Sequence, residues 1–204
     1  MSKSYHHGDL RNALIVAAAQ LIEESGSPDF AISDAAKRAG VSAAAPYRHF
    51  KDRGDLLNAV SELCFIGLAE VTEATRKNHP EGSRECIIAL GNVYLDYVAR
   101  HSAFYNLMWC AGKHSLAEPG TEGGQRPGFY AFVGAVQDWC QKQALAGCDP
   151  LDLAVKLWAI AHGLAVLKIN GQIAMFLPAA DVDDMLASSA NSFLDGIEKH
   201  HETG

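Results

Sequence analysis

The residues with the plainest chemical use lie between Ile32 and Phe50. Ala39-Gly40-Val41-Ser42 separates two short stretches, and Tyr47-Arg48-His49-Phe50 follows. Gly40 can take the positive φ needed to leave a first helix. Val41 is apolar and would plug the angle between two helices, and Ser42 can satisfy free amides at the start of the second. A short glycine-containing turn between two short helices matches the helix-turn-helix rule, whose second helix lies in a DNA major groove with its N-terminal end leading. Lys37, Arg38, Arg48, Lys51 and Arg53 fall between positions 37 and 53, together with His49. The chemistry they offer is binding: cations and hydroxyls for phosphate oxygens, and a guanidinium for a base edge.

A second constellation lies further along. Large aromatic residues gather on the middle segments, and Trp158 and His162 stand four residues apart, on one helix face. Such residues can wall a largely apolar pocket with His162 as its polar contact. They equally suit a packed core, with His162 bonded to a carbonyl or set near a subunit interface. Enzyme signatures are missing: there is no P-loop, G-x-G-x-x-G, G-x-S-x-G or H-E-x-x-H. No catalytic residue, cofactor or metal site is expected. Cys110 and Cys140 could sense oxidants, but nothing near them in sequence marks a depressed pKa.

The elements that must position these residues read as helices. Asp9 to Ser25 carries Leu10, Leu14, Ala17, Ala18, Leu21 and Ile22 on one stripe, with Asp9 placed to cap its start and Gly26 its end. Ser33–Ala39 forms a second helix and Ser42–Phe50 a third. A long fourth helix begins at Asp52 or Gly54. Further helices are expected at Ser83–Arg100, Ala103–Ala111, Phe129–Gly147, Pro150–Asn170 and Val182–His200, with a mobile loop over Leu116–Gly128. No alternating strand pattern is present. The expectation is an all-α chain of about nine helices. It has a three-helix DNA-binding domain at 1–57 and a larger helical effector-binding and dimerisation domain at 58–204.

The formal net charge of -7 argues at first against nucleic acid. Division at residue 57 changes its meaning. The first 57 residues hold seven cations and seven anions, so the acidic excess lies wholly in the remainder. The five cysteines are odd in number and lack C-x-x-C spacing, which fits reduced thiols in a cytoplasmic protein. Uncharged stretches reach about a dozen residues, as in Ile169–Ala180, short of the roughly 18 a membrane span needs.

Ala39-Gly40-Val41-Ser42, Tyr47-Arg48-His49-Phe50, Asp52-Arg53 and Leu56-Leu57 together resemble the TetR family of bacterial transcriptional regulators. The resemblance covers roughly residues 9–57, and Trp158, His162 and Gly163 resemble a W-x-x-x-H-G signature of one ligand-binding subgroup. It implies a ligand-responsive regulator, most simply a repressor that leaves its operator when a small molecule binds. Tyr47, His49 and Arg53 would touch the DNA backbone, Phe50 would lock the reading helix, and base edges would face Ala43, Ala44, Pro46 and Arg48, with Ser42 at the helix start. Ala43-Ala44-Ala45-Pro46 is poor in hydrogen-bond donors, so specificity is expected to rest on Arg48, on Lys37 or Arg38, and on DNA shape. Two residues depart from the family pattern. Ala31 stands where a capping Ser or Thr is usual, with Ser33 a possible shifted cap, and Arg53 stands where lysine is commoner.

The resemblance also implies an effector pocket. Its candidate lining is Tyr94, Tyr97, Phe104, Tyr105, Met108 and Trp109, with Phe132, Trp158 and His162, which suits an effector of apolar or aromatic character. The last two helices would pair with a second copy into a four-helix interface. The homodimer would span two half-sites of a palindromic double-stranded operator, with no membrane partner. The competing expectation is a helical dimeric module that binds a small molecule or protein and has lost DNA binding. Ala31 and the donor-poor reading helix keep it open.

Overall fold

The computed structural model describes residues 7–109 and 126–202. Among them the chain is all helical, with nine α-helices, one 3-10 turn and no strand. It divides into two compact units. One holds the described residues up to Phe65 and those from His101 to Trp109; the other holds Ile66–Arg100 and the residues from Arg126 onward.

In the first unit, α1 (His7–Ser25) begins two residues ahead of Asp9, so Asp9 is not its cap. Its stripe of Leu14, Ala18 and Ile22 is buried, and it stops at Gly26, which has a φ of +69°. The second helix, α2 (Ile32–Arg38), begins at Ala31, not at a cap shifted to Ser33. Alanine offers no acceptor to the first-turn amides. Asp34, third in the helix, reaches back instead, and its Oδ2 accepts from the Ala31 amide at 2.9 Å. That is the carboxylate half of a capping box, and it places a negative charge at the positive end of the helix.

The end of α2 follows the sequence. Gly40 has a φ of +73°, its amide donates to Lys37 O, and the Val41 amide donates to Ala36 O at 3.0 Å. This pair of bonds is a Schellman motif, whose left-handed position glycine occupies without a Cβ penalty.

The next segment differs from expectation. Ser42–Phe50 does not form a full α-helix: a turn, in which the Ala45 amide donates to Ser42 O at 3.0 Å, runs into the 3-10 turn Pro46–Arg48. Pro46 is the cause. A helix capped at Ser42 would take its first i→i−4 bond from residue 46, which has no amide hydrogen. The tighter i→i−3 bonds of a 3-10 turn take over.

Asp52 then caps α3 (Arg53–Lys77), its Oδ1 accepting from the Asp55 amide at 2.9 Å, while Asp55 Oδ2 accepts from the Lys51 amide at 3.0 Å. This helix is continuous, yet its residues to Phe65 belong to the first unit and those from Ile66 to the second. The core of the first unit joins Leu14, Ile22, Ile32, Phe50, Leu56 and Val60 to Phe104 and Leu107 of α5 (Ser102–Trp109).

The second unit contains the rest of α3, with α4 (Arg84–Arg100), α6 (Pro127–Lys142), α7 (Pro150–Ile169), α8 (Gln172–Phe176) and α9 (Val182–Glu202). Its core centres on Trp139 and takes in Ile87, Val136, Leu153, Leu157, Ala190 and Leu194. Two sets of ion pairs tie helices at its margin: Arg76 to Asp138 at 2.8 Å, and Arg84 to both Asp195 and Glu198.

Three further features depart from the sequence expectation. Helix α6 ends at Lys142, ahead of Gly147, and Ala144 takes a φ of +52° just beyond it. Most of the loop expected over Leu116–Gly128 lies outside the described residues, as does Cys110; its last two residues, Pro127 and Gly128, open α6. Helix α8 was not anticipated, because its run carries no helical stripe.

Helix α7 is long and apolar enough to cross a membrane by length and composition, but only a third of its apolar window is buried. Leu153, Leu157, Ala161 and Ala165 face the core, while Leu151, Val155 and Leu167 are apolar residues on its exposed side.

Candidate nucleic-acid interface and effector site

The turn built around Pro46 divides its residues by depth. Ser42, Ala43, Ala44, Tyr47 and Arg48 are exposed, with Tyr47 at 59%. His49 is half-buried, and Phe50 is buried beneath the Arg11 guanidinium, 5.4 Å from its ring centroid. Pro46 corrects the sequence reading: its side chain is fully buried and cannot present itself to a base edge. The short, tight turn points the ring inward and leaves the two following side chains outward.

The cations also divide. Arg38 is committed to Glu24 of α1 through two hydrogen bonds, Nη1 to Oε1 at 2.6 Å and Nη2 to Oε2. Hydrogen bonding from Arg38 holds the Glu24 carboxyl below the ordinary glutamate value. Arg53 donates from Nη2 to the Pro28 carbonyl, lies 3.6 Å from Asp29 Oδ1 and sits 5.6 Å over the Phe30 ring. It straps the α1–α2 loop to the start of α3, with 39% of its side chain still exposed. Lys37, Arg48 and Lys51 are exposed and form no ion pair among the described residues. Of the residues expected at a DNA surface, Lys37, Ser42, Ala43, Ala44, Tyr47 and Arg48 are exposed. Lys51 joins them as a cation whose role the sequence left unassigned.

The aromatic candidates fall into both units. In the first, Phe104 and Met108 are buried, Tyr105 is half-buried, and Trp109 stands edge-on to Phe65 at 5.2 Å between centroids. In the second, Phe132 packs against the core. Tyr94, Trp158 and His162 come together around one hydrogen bond, between Tyr94 Oη and His162 Nδ1 at 2.7 Å. The His162 ring lies 4.8 Å from that of Trp158, and Phe129 closes the group edge-on to Trp158 at 6.0 Å. Sequence reasoning left Phe129 out of the site, because nothing in Phe129-Tyr130-Ala131-Phe132 says which ring faces α7. The Tyr97 hydroxyl lies where a Cβ on Gly67 would sit, at 2.7 Å, so this side chain packs directly on the α3 backbone.

Burial lowers the pKa of His162 below 6.5, which favours the neutral imidazole. Burial pushes the Cys64 thiol up to about 11 and raises those of Cys86 and Cys140. A raised pKa disfavours the Cys140 thiolate, the form that oxidant sensing uses. Among the described residues, no three metal-ligating side chains come together.

The lowered pKa sets a pH dependence. As pH falls through about 6.5, the unfolded chain takes up a proton at His162 before the folded chain does, so folding stability drops below that pH. Thermal unfolding of the wild-type chain should therefore lose stability between pH 7 and 5 more steeply than that of His162→Gln. Parallel curves for the two would refute the buried, neutral histidine.

A family model described as "Bacterial regulatory proteins, tetR family" matches residues 14–60, and one described as "Tetracyclin repressor-like, C-terminal domain" matches residues 87–192. No curated protein matches the chain. Among solved structures, a protein with unknown function from Rhodococcus sp. RHA1 is similar at 28% identity and a TM-score of 0.76, covering 96% of this chain and 98% of its own. The TetR family transcriptional regulator PfmR from Thermus thermophilus shares the fold at 17% identity and a TM-score of 0.60, covering 89% of this chain and 97% of its own. The transcriptional regulator FadR from Bacillus subtilis, solved in complex with stearoyl-CoA, does so at 19% identity and a TM-score of 0.61, covering 91% of this chain and 96% of its own. With the second family model spanning half of its length and the first lying over the Gly40 and Pro46 turns, the chain belongs to the tetR family of bacterial regulatory proteins, whose members are DNA-binding transcriptional regulators.

Proposed function

We propose that the chain is a homodimeric, cytoplasmic repressor that binds a pseudo-palindromic operator and leaves it when a small molecule binds. The observation that carries this reading is the outward presentation of Tyr47 and Arg48 by a turn whose proline and phenylalanine are locked inside. Arg48 supplies a guanidinium for a base edge, Tyr47 a hydroxyl for a phosphate, and Ala43 and Ala44 methyls for thymine. One such turn reads too few base pairs alone, and a dimer places two on successive half-sites.

The effector takes its contacts from Tyr94, Trp158 and His162, with Tyr97 and Phe129 beside them, and has a flat, apolar body with a hydrogen-bonding group. Tyr97 rests on Gly67 of α3, and Asp52 and Arg53 at the start of that helix adjoin the DNA-reading turn. An effector that prefers one arrangement of α3 shifts the population toward it and, by linkage, lowers operator affinity.

The internal ties of Arg38 and Arg53 favour a second reading, a dimeric small-molecule module without DNA binding, because they leave few outward cations. Recovery of genomic fragments bound at physiological salt decides between the two. An enriched inverted repeat is the expected result. Recovery of no enriched sequence would sink the repressor and leave the module.

A further inference from the structure

We propose that Cys140 and Cys148 form a redox pair, in which a peroxide oxidises Cys148 and Cys140 then closes a reversible disulfide across the turn between α6 and α7. Neither the operator nor the effector enters this chemistry, so it goes beyond the function proposed above and stands or falls apart from it.

The turn brings the two thiols to one place. Cys140 lies in the last turn of α6, and Cys148 immediately precedes Asp149, whose carboxylate caps α7 by accepting from the Leu151 amide at 2.9 Å. Between them the chain folds back. The Leu145 amide donates to Cys140 O at 3.0 Å, Ala144 takes a φ of +52°, and Gly147 takes one of +86°. A side chain from the end of α9 holds the turn, as His201 Nε2 donates to Ala146 O at 2.7 Å. Cys140 belongs to the core around Trp139, with Leu145 and Leu153, and Cys148 packs against the same core from its margin. The two are near enough for a negative charge on Cys148 to raise the Cys140 pKa further than burial alone does. Cys64 packs in the other unit, and Cys86 in a separate cluster with Leu90 and Ala135.

The two thiols are not equivalent. Cys148 is half-buried and within reach of a small oxidant, whereas Cys140 is buried and the poorer nucleophile. The accessible cysteine therefore reacts first and the buried one resolves it. The Cys148 thiolate attacks one peroxide oxygen. An S–O bond forms, the O–O bond breaks, and hydroxide leaves and takes up the proton that Cys148 gave to solvent. The product is a sulfenic acid. The Cys140 sulfur then attacks the Cys148 sulfur. An S–S bond forms, the S–O bond breaks, and the hydroxyl leaves as water with the Cys140 proton. Both sulfurs are oxidised and the peroxide is reduced to water; a dithiol reductant reverses the bond by exchange. The disulfide ties the end of α6 to the start of α7. These are the helices that carry Phe129 and Trp158, so the oxidation state bears on the aromatic group between them.

Treatment of the full chain with hydrogen peroxide tests the pair, followed by alkylation, tryptic digestion without reductant and mass spectrometry. Trypsin cuts after Lys142, which separates the two cysteines. The expected product runs at the mass of one chain on a non-reducing gel. In its digest the peptides on either side of Lys142 are joined through Cys140 and Cys148. The free-thiol count falls by about two per chain, and dithiothreitol restores it. Cys140→Ala, small and apolar at a buried position, should leave Cys148 as a sulfenic acid that dimedone traps. Cys148→Ser, at a half-buried position, should give no linked peptide and leave Cys140 reduced. A wild-type chain whose two cysteines are both still alkylated after peroxide, or in which either is joined to a different cysteine, overturns the pair. Dimedone trapping at Cys140 in Cys148→Ser overturns the order in which the two react.

Discussion

Replacing Arg48 with alanine should weaken operator binding at least about 30-fold and relax the sequence preference at one position of each half-site. A guanidinium that reads a base edge is worth about 1–3 kcal/mol, and the dimer uses it twice. The neighbours make the effect large. Ala43 and Ala44 carry no donor, Pro46 is buried, and Arg38 is held by Glu24, so no adjacent side chain replaces the lost contact. Tyr47→Phe serves as a contrast. It removes a hydroxyl and no charge, so it should weaken all sites alike and leave the salt dependence unchanged. Lys37→Ala should flatten that dependence by about one unit of log–log slope per protomer if the lysine neutralises one phosphate. Titrations of labelled operator and scrambled duplex, each at two salt concentrations, separate these patterns. An Arg48→Ala variant that binds operator as the wild type does would remove the turn from DNA recognition. A DNA-reading unit with no net charge, two of whose arginines are tied internally, should bind the scrambled duplex weakly at physiological salt.

Local rules made most helices legible. The stripe of Leu14, Ala18 and Ile22 is visible at helical spacing, and Gly40 marks the end of α2 because only its φ of +73° lets Val41 reach back to Ala36. Pro46 was legible in type but misjudged in position. It stands fourth after Ser42, where the first helical hydrogen bond needs an amide hydrogen, so the turn tightens and buries the ring. What the sequence hid was tertiary. Glu24 and Arg38 belong to different helices, and Arg53 reaches back across the α1–α2 loop to Pro28 and Asp29. No spacing rule pairs residues that meet only after the helices pack. The same holds for α5. Phe104 reads as a pocket aromatic in an apolar segment, yet it and Leu107 complete the core of the first unit. For the second unit, Trp158 and His162 were visible as an i, i+4 pair. Their arrangement around Tyr94 depends on how α4 packs against α7, which periodicity does not specify.

Trp139→Ala is the stability change expected to be largest. Trp139 is 0% exposed and lies where residues of α4, α6, α7 and α9 converge: Ile87, Val136, Leu153, Leu157, Ala190 and Leu194. Truncation of a buried indole costs about 3–5 kcal/mol, through lost transfer energy and the cavity left behind. Against a total stability of roughly 5–15 kcal/mol, that is a large share, and it should lower the melting temperature by roughly 10 °C or more. The polar end of the ring works the other way. Trp139 Nε1 is buried without a hydrogen-bond partner, so the native residue already carries a desolvation cost that phenylalanine would not. Trp139→Phe leaves a smaller cavity and relieves that cost, and should retain most of the stability lost in Trp139→Ala. If the two variants unfold at the same temperature, the unpaired N–H has no energetic weight and volume alone does not rank them, which contradicts the packing described for this core. Helices α7 and α9 also form the proposed dimer surface, so the alanine variant should dissociate more readily while its N-terminal unit, whose core shares none of these residues, keeps its helical signal to higher temperature.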